Sequence, residues 1–403
     1  MNRMRHWAAT LAVATFAGVG FMALLVWASP RDPGEGLLSG FGVTMAVLST
    51  PWALTAGILW HAWWVRTGVR LSAMDAPARL LAIATATLPT ERRDWGAAMT
   101  AELAQVPDRR ARWRFAAGCA RTAVFPAQHH PLSVPAAVAL AALAVVVTWL
   151  AVGTALPTMR VFAVTFVVLV GVLATVAVAR SRRLHRPPHG PLITIVGLAG
   201  VAACIAVTGY NVGTDASETL ASSAAIMLAV VLAASLWLTL APPRALTTSK
   251  LARWVGLGVG LVLGLGVFLA ARLNETTGDG NLLYLLNLPL AFGAVSAFVA
   301  VVDRSFSAGL QATVWALMVT SLLTFASFVL ESMRWFQIHQ TSLLDGNEAG
   351  GAILDGAIFW VLIVIPVLAF PCGVIGAALG ALGAKVGGAA AWQPAPVGPP
   401  PMP

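Results

Sequence analysis

Long apolar runs alternate with short polar intervals along this chain, and the rhythm breaks in one place. Runs near the roughly 20 residues that a helix needs to cross bilayer hydrocarbon cover 7–28, 41–65, 134–155, 161–179, 192–210, 220–241, 254–271, 283–302, 310–330 and 357–382. The pattern predicts ten spanning helices. The break is the interval from Arg66 to His130, which is long, charged and marked by tryptophan.

Within that interval the apolar positions recur with helical spacing. Asp75 can cap a helix with Pro77 in its first turn, over a run too short to cross a membrane and suited to lying along it or packing on the next helix. Thr90 can cap a second helix from Glu91 to Ala104, on which Trp95, Met99 and Leu103 recur every four residues and share a face. Asp108 can cap a third, from Arg109 to Val124, where Ala111, Phe115 and Cys119 align beside a stripe of Arg110 and Arg114. The second and third helices, joined near Pro107, are predicted to form an antiparallel hairpin that buries Trp95, Met99 and Leu103 against Phe115. So small a hairpin needs a third surface, which the bilayer, the spans or another protein would provide. Its candidate contact residues are Trp95, Met99, Leu103, Arg110, Arg112, Trp113, Arg114 and Phe115.

Composition agrees with the pattern. Of 403 residues, 58% are apolar and only 10% charged, far from the quarter typical of soluble domains; the mean hydropathy is +0.82. The fold class is all-α, a polytopic transmembrane bundle. The formal charge of +9 would point to nucleic acid in a soluble chain. Here the basic residues flank apolar runs, so a nucleic-acid partner is excluded. Counted over alternate sides, only Arg31, Arg160, Arg272 and Arg334 of the 25 Lys and Arg fall on one side. The crowded side should be cytosolic. Both termini and the hairpin between spans 2 and 3 then face the cytosol, in a multi-pass protein of a bacterial inner membrane. The first run reads as a signal anchor behind Arg3 and Arg5; small residues at Val26 and Ala28 leave cleavage as the alternative, although the run exceeds an ordinary signal core. The organisation is 1–66 for the first two spans, 67–132 for the cytosolic helices, 133–385 for eight spans, and 386–403 for a disordered proline-rich tail.

Two motifs carry a resemblance. W-G-x-A-M-x-A-E-L at Trp95 to Leu103, followed by R-x-R-W-R-F-A-x-G-C at Arg110 to Cys119, resembles a helical segment of uncharacterised multi-span membrane proteins of high-GC, actinobacteria-like bacteria. The resemblance covers about a tenth of the chain and implies a membrane location without carrying over an activity.

Chemistry in the spans is sparse. The chain has no H-E-x-x-H, G-x-S-x-G or G-x-x-x-x-G-K-[ST] motif, and mid-span ionisable residues, which mark intramembrane catalysis or ion coupling, are nearly missing. Cys119, Cys204 and Cys372 lack metal or disulfide spacing. The sequence therefore predicts no catalytic residue, no cofactor and no metal. Asn287 beside Pro289 is the candidate polar site within a span, able to join freed carbonyls or to bond another helix. Glu331 falls at a span end, where water is available. Gly256, Gly260 and Gly264, and likewise Gly376 and Gly380, place small residues four apart for packing within the chain or for a homo-oligomer. Trp60, Trp63 and Trp64 read as an interfacial belt or an aromatic cage. The functional reading is a regulatory or interaction role through the hairpin, with a protein partner or anionic lipid; a small-molecule permease is the alternative.

Overall fold

The structure is a computed structural model that describes residues 2–28, 40–67, 74–86, 88, 93–124, 133–180, 191–214, 220–240, 242–277, 280–340, 343 and 353–391. The described residues are helical throughout their regular elements, with no strand. Among the described residues, seven helices are long and apolar enough to cross a membrane: Pro135–Ala155, Pro157–Ala177, Leu192–Thr214, Ser222–Leu240, Lys250–Leu273, Phe306–His339 and Ile353–Val386. Helices also cover the other three runs, as α1 (Asn2–Ala28), α2 (Gly40–Thr67) and α11 (Gly280–Val302). The expected caps at Asp75 and Asp108 form, while Thr90 lies outside the described residues. The chain divides into two compact units.

The first unit holds α1 and α2, which pack antiparallel. Gly18 faces Ala53 and Gly57 faces Ala14, so the backbones approach where side chains are smallest. The same unit holds α3 (Ala76–Ala86), α4 (Arg93–Gln105) and α5 (Arg109–Val124), considered below. The membrane-length helices α6 (Ser133–Ala155) and α7 (Arg160–Arg180) each run across the division between the units.

The second unit is a bundle of α8 (Pro191–Thr214), α9 (Ser222–Leu240), α10 (Lys250–Thr277), α11, α12 (Phe306–His339), α13 (Ile353–Ala357) and α14 (Ile365–Ala391). At its centre stands α12, which buries Trp315, Leu322 and Phe325 almost completely. Gly256, Gly260 and Gly264 lay one face of α10 directly on α12, against Trp315, Val319 and Leu323. The side chains of α12 return the contact, because Ser327 Oγ donates to Gly264 O at 3.1 Å and Thr320 Oγ1 to Gly260 O at 3.5 Å. A bare glycine carbonyl thus accepts from a neighbouring hydroxyl where no water can serve it. Gly376 and Gly380 bring α14 onto the carbonyls of Gly293 and Ala297 on α11. Contacts advance in the same sense along both partners, so α10 runs parallel to α12 and α11 to α14, as alternation of direction along the chain requires. Both glycine faces are therefore occupied within the chain.

Several boundaries differ from the sequence pattern. The last helix continues to Ala391, so residues 386–391, assigned to a disordered tail, are helical; residues 392–403 lie outside the described ones. Between α13 and α14 the backbone widens to a π-helix over Ile358–Val364. Pro366 follows at once, and proline cannot donate to the carbonyl four residues back while its ring crowds that group. An added residue per turn moves the carbonyl aside. Glu331, expected at a watered end, is only 5% exposed. It accepts from Arg334 Nε at 2.7 Å, and Arg334 reaches on to Glu275 of α10 at 2.5 Å.

At the opposite end of α12, Gln311 ties a chain turn to the helix. Its Oε1 accepts from Ser249 N at 3.0 Å, and Ser249 Oγ donates to Asp303 at 2.5 Å. Arg304, at φ 47°, closes α11 in a left-handed cap: Ser305 N reaches Ala300 O, and Arg304 N reaches Val301 O.

Candidate functional site

Within the interval that broke the apolar rhythm, the described residues form a three-helix unit. α3 begins where predicted, because Ala78 N donates to Asp75 Oδ1 at 3.1 Å and Pro77 occupies the first turn. Asp108 caps α5 through Ala111 N at 2.7 Å. The shared core consists of Leu81, Met99, Leu103 and Ala116, with Phe115 and Cys119 packed against it. Leu81 and Leu103 are essentially fully buried, and each contributes about 1.5–3 kcal/mol of apolar burial.

Two expectations need correction. The two-helix hairpin is incomplete: α5 packs chiefly on α3, and α4 also rests on α3 more than on α5. The third surface that the hairpin needed is thus supplied by the chain itself, eighteen or more residues upstream of its turn. Trp95 is not in the core but 38% exposed. The residue that faces inward at that turn is Gly96, where an added Cβ would meet Thr85 and Leu88 at 3.1–3.2 Å. The inward stripe of α4 is therefore Gly96, Met99 and Leu103. A Cβ here would need Thr85 or Leu88 to give way by a few tenths of an ångström, so glycine suits the close approach of the first turn of α4 to the end of α3, and the neighbouring indole is turned outward.

The arginines of α5 divide by role. Arg112 turns inward: its Nε donates to Asp75 Oδ2 at 2.9 Å, and its Nη1 to the carbonyls of Leu103 at 2.6 Å and Val106 at 3.1 Å. Leu103 O lies in the last turn of α4 and also accepts from Val106 N at 3.3 Å, while Val106 O follows just beyond the helix. One guanidinium thus joins the cap of α3 to the end of α4, beside a shallow groove lined by Pro77, Ala104, Pro107 and Arg109. Arg109, Arg110, Arg114 and Arg121 are exposed, as is Trp113 at 41%. Cys119 is half-covered, and burial followed by the nearby Glu102 raises its thiol above the ordinary range, which disfavours the nucleophilic thiolate.

The hydrogen bond from Arg112 holds the Asp75 carboxyl below its ordinary value, with smaller help from Ala78 N. A depressed folded value means that this contribution is present above the unfolded value of about 3.9 and is lost as pH falls through the folded one. Backbone hydrogen exchange over 75–124, corrected for the intrinsic exchange rate at each pH, should therefore accelerate on acidification below about pH 4, with little change between pH 7 and 5. The acceleration should be smaller in Asp75→Asn. Equal acceleration in both proteins would show that the pair does not hold the unit.

A second cluster was not legible along the chain. His6 Nε2 and His61 Nδ1 lie 2.9 Å apart, with Trp64 stacked on His6 at 4.9 Å and Trp7 on His61 at 5.4 Å. Trp60 packs against Trp63 and Trp64 beside them. The available signal was topological, since an antiparallel pair brings the start of α1 to the end of α2. The pair can share one proton between its nitrogens. Among the described residues, no three His, Cys, Asp or Glu side chains gather as a metal site. Asn287 stands exposed on α11 while its neighbour Leu288 is buried.

Among the described residues these features define a class: a helical protein with helices fit to cross a membrane and, earlier in the sequence than those helices, a compact polar three-helix unit. The chain matches no protein-family model, and neither a curated protein nor a solved structure is similar to it.

Proposed function

We propose that this chain is a multi-span integral membrane protein whose α3–α5 unit works as a contact element on the cytosolic side, in a regulatory or interaction role. The observation that carries this reading is the division of labour in the unit. One set of side chains closes a core around Leu81 and Leu103, and Arg112 locks it. Another set, Arg110, Trp113, Arg114 and Arg121, is left exposed on the outside. The strong asymmetry of basic residues supports the cytosolic side. The second reading, a small-molecule permease, rests on Asn287, which is exposed on α11.

Removing residues 75–124 from the full chain and comparing what co-purifies with it from its own membrane tests the reading. The shortened protein should still insert, because the apolar helices are untouched, and it should lose specific companions or its normal membrane distribution. An unchanged set of companions together with unchanged distribution would sink the proposal.

A further inference from the structure

The outward face of α5 narrows what the unit touches. Arg110, Trp113, Arg114, Ala117 and Arg121 recur at spacings of three and four, so they share one side of the helix, and all five are exposed. From Arg110 to Arg121 the helix advances by about 16 Å. A row of that length does not converge on a point, as a pocket for a single phosphate would. It matches a plane of negative groups. No acidic residue occurs in α5, and Arg112, which would otherwise belong to the basic set, is engaged with Asp75 and two carbonyls. The charge left outward is therefore not neutralised from within the helix.

Two further observations favour a leaflet over a soluble acidic partner. Trp113 sits between Arg110 and Arg114, and an indole flanked by cations is suited to the headgroup boundary, where its ring is half in apolar surroundings and its N–H remains wet. Ala117 beside Gly118 keeps the middle of the face low, so the helix can lie close to a flat surface. Chain length supplies the second observation. α5 ends at Val124 and α6, a helix long and apolar enough to span, begins at Ser133. The connector can reach roughly 30 Å at most, so Arg121 is held near the point where α6 would enter a bilayer. Attraction between charges fades over about 8 Å in physiological salt, and a tether this short lets the face come within that range without leaving the neighbourhood of the leaflet.

We propose that the outward face of α5 docks on anionic phospholipid headgroups of the membrane in which the chain is embedded, laying the three-helix unit against the leaflet. The inference rests on the reading of α3–α5 as a contact element and names its partner.

The test uses the full chain in nanodiscs. Ala117→Cys carries a spin label, with Cys119 and Cys372 changed to Ser and the fully buried Cys204 retained. Collisions with a water-soluble nickel chelate are compared between discs of phosphatidylcholine and discs containing about a third phosphatidylglycerol, since each arginine near such a surface adds roughly 1 kcal/mol, or about fivefold in binding. In anionic discs the label should become several-fold less accessible to the chelate, and salt of about 0.5 M should restore access by screening. Changing Arg110, Arg114 and Arg121 together to Gln should restore it as well, whereas changing them to Lys should preserve docking. Equal access in both kinds of disc would overturn the proposal. So would shielding that persists in the Gln variant, since contact would then not depend on charge. Limited proteolysis of each variant confirms that the unit is folded. Should the label stay accessible while deletion of 75–124 still removes companions, the contact element stands and its lipid partner falls.

Discussion

Gly376→Val is expected to leave the protein unable to survive extraction as a single monodisperse species, whereas Gly383→Val on the same helix should behave like the parent. The two glycines differ only in what faces them. A Cβ on Gly376 would collide with the carbonyl oxygen of Gly293, and a Cβ on Gly383 would meet nothing within 4 Å. Overpacking in a protein interior usually costs about 1–3 kcal/mol, and side-chain neighbours often give way. Here the neighbour is backbone in the middle of α11, which can yield only if the whole helix moves. The penalty should lie at or above the top of that range. Thermal midpoints in detergent, read by fluorescence-detected size exclusion, provide the comparison. Matching midpoints for the two variants would mean that α11 and α14 do not approach as closely as described.

The second large effect lies in the α3–α5 unit. Leu103→Ala removes a side chain that is 1% exposed and central to a core of few residues; such truncations cost about 2–5 kcal/mol. A unit this small holds little stability in reserve. It should therefore open locally while the spanning helices persist. Trypsin should cut rapidly at the arginines of α5 in the variant and slowly in the parent, with backbone hydrogen exchange rising over the same stretch. Trp95→Ala, in contrast, should change protection little, because its indole is outside. If Trp95→Ala opened the unit as fully as Leu103→Ala, the orientation of α4 would be wrong.

That comparison also marks the limit of periodicity. Trp95, Met99 and Leu103 fall at perfect four-residue spacing, and Gly96, Met99 and Leu103 fit the helical period equally well. Spacing alone favours the stripe with more apolar surface. The structure takes the other, because α3 approaches too closely for an indole. Arg110, Arg112 and Arg114 present the same difficulty, being chemically identical and two residues apart. Only the position of Asp75 and the end of α4 decides that Arg112 is internal. By contrast, the glycine spacing on α10 and α14 was informative about close approach, and what remained open was the identity of the helix approached.

What the sequence by itself determined is everything that depends on near neighbours in the chain: the helical class, the lengths of the apolar segments, the caps at Asp75 and Asp108, and the one polar interruption. Capping bonds reach three residues, and hydrophobic length is additive along a helix, so both can be read locally. Only the tertiary structure decided that α3 completes the unit, that α12 fills the centre of its bundle, that His6 meets His61, and which arginines face outward. Each of these depends on residues far apart in sequence, where many pairings satisfy the same apolar pattern and steric fit between particular side chains selects among them.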